Sequence, residues 1–96
     1  MKYLPGSDVL VAHLAGEAVL LDLRDKNYYR LNETAAFVWK AIENGSRRDE
    51  ILTQIADEFE VAERDACREV DRLLSDFADR GLISVVDEAD DPFTGR

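Results

Sequence analysis

The sequence holds a single cysteine and a single histidine among its 96 residues, and this scarcity excludes several kinds of chemistry. Cys67 alone forms no intramolecular disulfide, which fits a reducing cytoplasm. A zinc site needs four ligands, of which Cys67 and His13 supply two. Both stand among apolar residues, where a structural role is expected. A glycine-rich phosphate loop is also missing. We therefore expect no metal, no cofactor and no enzymatic activity.

Long apolar runs and positive charge are scarce as well. No run of about 18 apolar residues could cross a membrane. The first eight residues lack the apolar core of a signal peptide, so we expect a cytoplasmic protein. Twelve Lys and Arg stand against 21 Asp and Glu, a net charge of −9. Nucleic acids and anionic membranes would repel this surface, so neither is an expected partner, and a basic peptide or protein is favoured.

Length and composition predict one folded domain with a short tail. Ninety-six residues, 46% of them hydrophobic, suffice for one core. We assign the domain to residues 1–86 and predict a disordered acidic tail at residues 87–96. Residues 1–8 are expected to be a loose lead-in to the first strand.

Apolar patterning predicts three strands in the first third of the chain. The first covers residues 9–14, and Ala15-Gly16 turns the chain into the second, residues 17–23. A polar turn follows, in which Asn27 is expected to take a left-handed conformation. The third strand, residues 28–31, is short and leaves an open sheet edge. The three strands form an antiparallel meander with the second strand in the centre.

From residue 32 the apolar period changes to about 3.5 residues, which predicts three helices. Asn32 is expected to cap the first helix, and Gly45 to end it. Ser46 and Asp49 resemble a capping box for the second helix. Ala62 is a poor N-cap, so the third helix is expected to begin weakly.

The third predicted helix has a wider apolar arc than packing against a core requires. Its central line consists of Ala66, Val70, Leu73 and Phe77. A second line, about 80 to 100° further round, consists of Cys67, Leu74 and Ala78, with Asp71 at its border. The arc spans about 140°, whereas a core-facing helix needs roughly 100°. Either another element covers the second line, or the line borders a shallow groove for a guest side chain.

These elements predict an α+β fold of winged helix-turn-helix type, with a three-stranded antiparallel sheet followed by three helices. In DNA-binding versions the last helix carries basic and amide side chains. Here residues 63–80 hold six acidic residues against four arginines. The scaffold fits a winged helix, but its surface does not fit nucleic acid.

The run from Leu21 to Ala35, the apolar helix with Trp39, and the later Arg-Gly-Leu-Ile at residues 80–83 resemble the PqqD-like family. These are precursor-peptide recognition elements of ribosomal peptide natural-product pathways. The resemblance covers roughly residues 8–84, and its most specific part is Tyr29-x-Leu31-Asn32 with the following Thr-Ala. Within the family the sequence is most similar to the stand-alone leader-binding proteins of lasso peptide clusters.

The resemblance implies a non-catalytic protein that binds a precursor's leader peptide as an added strand. The implied binding residues on the third strand are Tyr28, Tyr29, Arg30 and Leu31, and those on the helix wall are Cys67, Asp71, Leu74 and Ala78. The implied further partners are a leader peptidase and an ATP-dependent cyclase. One alternative is a peptide chaperone for a radical SAM enzyme in a PQQ-like pathway. A winged-helix regulator acting on nucleic acid is less favoured.

Overall fold

The computed structural model describes residues 2–86, and the predicted acidic tail at 87–96 lies outside the described residues. In chain order the elements are β1 (Lys2–Pro5), β2 (Val9–Leu14), β3 (Glu17–Asp22), β4 (Asn27–Leu31), α1 (Glu33–Glu43), α2 (Arg48–Phe59), α3 (Glu63–Asp79) and β5 (Ile83–Val86). The α+β class, with an antiparallel sheet followed by three helices, confirms the predicted fold.

The three-stranded meander is present in the order β2-β3-β4, with β3 in the centre. The turn before β4 differs from the prediction, because Lys26 rather than Asn27 takes the left-handed conformation, with φ 64°. The Lys26 amide donates to the Asp22 carbonyl at 2.8 Å. The Asn27 amide donates to the Asp25 side chain at 3.2 Å, and Asn27 pairs with Asp22 as the first residue of β4.

The helix ends follow local capping chemistry. The Asn32 side chain accepts the Ala35 amide at 2.9 Å, which confirms the predicted cap of α1. The prediction for α2 is wrong by one residue, since Arg47 is the N-cap and its amide donates to Glu50 at 2.7 Å. Glu is longer than Asp and reaches back to the cap amide more readily. Ala62 is the N-cap of α3 and has no side-chain hydrogen bond there, as predicted.

A second sheet joins the two ends of the described chain, and the expected loose lead-in at residues 1–8 is wrong for β1. This ribbon consists of β1 and β5, paired antiparallel from Lys2–Val86 to Pro5–Ile83. The Gly6 amide donates to the Leu82 carbonyl at 2.8 Å and continues the connection. Tyr3 of β1 is only 5% exposed, so the ribbon closes one side of the core.

The core lies between the meander, the three helices and the ribbon. Trp39 of α1 is at its centre, 1% exposed, and packs edge-to-face against Phe77 of α3 with ring centroids 5.4 Å apart. Leu20 of β3 and Ile51 of α2 are fully buried on either side. The third helix is therefore fixed by its apolar face, which positions it alongside β4.

Candidate functional site: a groove between the edge strand and the third helix

The tight turn between β2 and β3 determines which backbone groups of β4 point outward. Ala15 and Gly16 both have positive φ, 44° and 88°, as a type I′ turn requires. The flanking pair Leu14–Glu17 is then a hydrogen-bonded pair, and such pairs alternate along an antiparallel ladder. The Leu23 amide, in phase with Glu17, donates to the Asp8 carbonyl at 2.9 Å beside β2. The even-numbered residues of β3 therefore bond to β4.

The opposite edge of β4 is consequently available for pairing. Tyr29 and Leu31 lie opposite Leu20 and Ala18, and their amides and carbonyls point to β3. Those of Tyr28 and Arg30 point away from the sheet. Because β4 is an edge strand, it offers two donors and two acceptors to an added strand.

A groove with a cavity volume of about 430 Å³ runs beside this edge. Its walls come from β4, the start of α1, the second half of α3 and the residue before β5. The lining residues are Tyr28, Tyr29, Arg30, Leu31, Asn32, Ala35, Arg72, Leu73, Asp76, Phe77, Arg80 and Leu82. The four predicted strand residues are thus brought together on one wall.

The groove combines an apolar floor with a polar rim. Leu73 and Phe77 are central residues of the α3 apolar arc and also reach the groove. Tyr29 is half-buried, and the Arg80 guanidinium lies over its ring, 5.3 Å from the centroid. This cation–π contact links the strand wall to the helix wall. An apolar guest side chain could be buried on the floor while its backbone pairs with β4.

Charge in the groove differs from charge on the whole protein. The lining includes Arg30, Arg72, Arg80 and Asp76, three positive charges against one negative. Arg72 also bonds Glu69 just outside the lining, and this bond raises the pKa of the Arg72 guanidinium. The overall charge of −9 therefore does not extend into the groove, and it gives no reason to expect a basic guest there.

The predicted helix-wall residues Cys67, Asp71, Leu74 and Ala78 lie elsewhere on α3. The Arg48 guanidinium of α2 donates to both carboxylate oxygens of Asp71, at 2.7 and 2.8 Å. It also contacts the Cys67 sulfur at 3.1 Å. Leu74 is 6% exposed in the core, and Ala78 is half-buried against it. None of the four lines the groove beside β4, whose helix wall consists of Arg72, Leu73, Asp76, Phe77 and Arg80.

Neighbouring elements explain why the second line of α3 does not line this groove. Burial raises the pKa of Tyr3 in β1, and the charges of Arg48 and Asp71 act on the same hydroxyl. The ribbon and α2 thus occupy the side of α3 that the apolar arc had left open. Bonding to Arg48 also lowers the pKa of Asp71. The groove lies on the opposite, polar shoulder of α3, which carries Arg72, Asp76 and Arg80.

The histidine and the cysteine that the sequence offers for chemistry do not line the groove. Within residues 2–86 no group of three His, Cys, Asp or Glu side chains is placed to hold a metal. His13, predicted to be structural, is 47% exposed and lies 3.4 Å from Glu43. Cys67 is a free thiol. No helix in this part of the chain is long and apolar enough to span a membrane.

Comparisons with known proteins bear on this groove. Two solved structures have the same fold across 88% of this chain. "TbiB1 in Complex with the TbiA(beta) Leader Peptide" is 27% identical, with a TM-score of 0.82 over 99% of that chain. "Lasso peptide synthetase B1 complexed with the leader peptide" is 26% identical, with a TM-score of 0.80 over its full length. Both were solved with a leader peptide bound. A search among curated proteins found no match.

The family assignment rests on a segment that includes both groove walls. The sequence profile of "Coenzyme PQQ synthesis protein D (PqqD)" matches residues 17–83, more than half of the chain. This segment begins with β3 and ends at the first residue of β5, so it contains β4 and α3. The predicted resemblance is confirmed, and the chain belongs to the PqqD family.

Proposed function

We propose that this protein binds the leader region of a ribosomally made precursor peptide and presents it to the maturation enzymes of a lasso peptide pathway. The observation that carries the proposal is the outward-facing backbone of Tyr28 and Arg30 beside an open groove. The two similar structures, each solved with a leader peptide, support the same class of ligand.

Strand addition explains how one site gives both affinity and selectivity. The leader backbone pairs with Tyr28 and Arg30 and adds a fourth strand to the meander. Every second side chain of the leader then points into the groove, toward Leu73 and Phe77. The other leader side chains extend the outer face of the sheet, where Tyr28 is 72% exposed.

The proposed role is binding and presentation of the leader, without catalysis. Its partners are the leader peptide and the leader peptidase or cyclase that modifies the precursor. The family description, which refers to PQQ synthesis, keeps a radical SAM enzyme as the alternative enzyme partner. The two pathways are separated by measuring which enzyme, the peptidase or cyclase on one hand or the radical SAM enzyme on the other, binds the complex of this protein with the leader.

Binding of a synthetic, fluorescently labelled leader peptide tests the proposal. The peptide is taken from the precursor encoded in the same gene cluster, and a scrambled peptide of equal composition is the control. Saturable binding of the leader alone is expected in fluorescence polarisation. Trp39 is the one tryptophan, and it packs on the groove residue Phe77, so its emission should change in parallel. Equal binding of both peptides would reject the proposal.

Proline substitution separates the backbone contribution from that of the side chain. Arg30→Pro removes an outward amide without breaking the ladder with β3, since proline is tolerated at strand edges. Arg30→Ala keeps that amide and is the matched control. The lost bond alone should weaken binding by roughly twofold to tenfold, and the proline ring adds a steric clash. His13→Pro makes the same change on the other edge, β2, and should leave affinity unchanged. Circular dichroism verifies that each variant is folded.

A further inference from the structure

A buried carboxylate and an arginine connect the turn before β4 to the end of α3. Asp22 is fully buried, and Arg24 donates to both of its oxygens, Nε at 3.0 Å and a terminal nitrogen at 2.8 Å. The Arg24 backbone amide donates to the same carboxylate at 3.0 Å. The terminal nitrogen also donates to the Gly81 carbonyl at 2.8 Å. We call Asp22, Arg24 and Gly81 the clamp.

The clamp connects the strand wall of the groove to its helix wall, although none of the three clamp residues lines the groove. Asp22 lies opposite Asn27, the first residue of β4, so one end of the clamp is fixed to the strand wall. Gly81 lies between Arg80 and Leu82, which both line the groove on the helix side. The distance between the walls at this end is therefore set by the contact of Arg24 with the Gly81 carbonyl.

Gly81 is suited to this contact in two ways. Its φ of 72° gives α3 its left-handed C-terminal cap, in which the Leu82 amide donates to the Phe77 carbonyl at 2.9 Å. A Cβ atom at Gly81 would also lie 2.9 Å from the terminal nitrogen of Arg24. The absence of a side chain thus leaves the guanidinium room to reach the carbonyl.

We infer that Arg24 is a positioning residue for leader binding, which holds the end of α3 at the separation from β4 that an added strand requires. The inference rests on the proposed function. Without the clamp, the Arg80–Leu82 segment can move away from β4, and only part of the population keeps a binding-competent groove. Apparent affinity falls by that fraction. The bound complex is unchanged, so the loss appears in the association rate.

Arg24→Ala tests this inference against a variant that loses a different arginine contact, one with the other side of α3. Arg48→Ala removes the ion pair with Asp71 on the other side of α3, away from the groove. Arg24→Ala should weaken binding of the labelled leader at least about fivefold, the lower end of typical coupling between linked sites. Its association rate should fall while its dissociation rate stays constant. Arg48→Ala should bind as the wild type does.

Amide exchange distinguishes a local effect at the end of α3 from a general loss of stability, which would speed exchange throughout the protein. In free Arg24→Ala, the Gly81 and Leu82 amides should exchange faster, while the Leu10 amide in β2 should not change. Saturating leader should restore their protection. Arg24→Lys should rescue little, since an ammonium cannot bond Asp22 in two places and still reach Gly81. If Arg24→Ala does not fold, Asp22→Asn, which keeps the shape of the carboxylate, takes its place in every comparison.

The outcomes distinguish this inference from the proposed function. Failure of the wild-type protein to bind the leader rejects both. If the wild-type protein binds the leader and folded Arg24→Ala binds it with the same affinity, only the positioning role is overturned. The same holds if Arg48→Ala loses as much leader affinity as Arg24→Ala. A loss carried by the dissociation rate also overturns it, because the clamp would then act within the complex.

Discussion

Amide hydrogen exchange along β4 distinguishes strand addition from docking in the groove alone. In the free protein, the outward amides of Tyr28 and Arg30 should exchange quickly, whereas those of Tyr29 and Leu31 are bonded to β3 and should exchange slowly. Leader binding should slow the exchange of the Tyr28 and Arg30 amides and leave the exchange of the Tyr29 and Leu31 amides little changed. This alternation follows from the hairpin register, and docking in the groove alone would not produce it.

The size of the effect follows from mass action. An amide that exchanges only when the leader has left is protected by about 100-fold at a free leader concentration of about 100 times Kd, equal to about 2.7 kcal/mol. Two donors and two acceptors on the strand give four hydrogen bonds. At about 0.5–1.5 kcal/mol each, they contribute about 2–6 kcal/mol to binding. This is enough to make the strand a main source of affinity.

The assay is amide-resolved NMR with and without the synthetic leader. By the same alternation, the backbone amides of Val11 and His13 point outward from the other edge strand, β2. They serve as internal controls and should stay unprotected when the leader binds. Protection confined to α3, with Tyr28 and Arg30 unaffected, would refute strand addition. Protection at Val11 and His13 would place the leader on the wrong edge.

Three further predictions follow from burial, capping and charge. Leu73→Ala and Leu74→Ala are matched, since each side chain is 6% exposed, and each should lower the free energy of unfolding by about 2–5 kcal/mol. Only Leu73→Ala should weaken leader binding in fluorescence polarisation, and equal losses would show that the helix wall of the groove does not contact the leader. Ala62→Ser should supply the missing N-cap of α3 and raise stability by about 1 kcal/mol, or a Tm increase of about 4–8 °C; an unchanged Tm would contradict this. The hydrogen bond from Arg24 lowers the pKa of Asp22 below 3.8, so this carboxylate adds stability that is present above about pH 4 and lost as the pH falls further. The gap in urea midpoint between wild type and Asp22→Asn should therefore close below about pH 4, and a constant gap would show that the charge does not matter.

The parts of the fold that were predictable depend on short-range signals. Asn32 caps α1 and Gly45 ends it, because capping needs only the residues within one turn. The meander followed from alternating apolar residues and the Ala15-Gly16 turn. The ribbon was not predictable in the same way. Lys2–Pro5 is four residues long and includes a proline, and its partner strand lies at the other end of the described chain.

The strand wall of the groove was predictable from the sequence, and its helix wall was not. The alternating pattern of Tyr28–Leu31 predicts a short edge strand. On α3, the sequence shows two shoulders beside one apolar line, and periodicity alone does not say which is covered. The sequence left the shoulder with Leu74 open to either role, whereas in the structure Leu74 is 6% exposed and belongs to the core. The shoulder with Arg72 and Arg80 gave no apolar signal in the sequence, because arginine combines a long apolar stem with a charged head, and both residues line the groove.

The ribbon also bears on the order in which the protein folds. The hairpins and the successive helices join residues that are near in sequence, so their loop-closure cost is small. Pairing of Lys2 with Val86 closes almost the whole described chain, and it gains nothing until the elements between them are in place. We therefore expect the ribbon to be the last element to form and the first to open. Tyr3 of β1 would then meet water early in unfolding, while the hairpin that carries Tyr28 and Arg30 would persist longer.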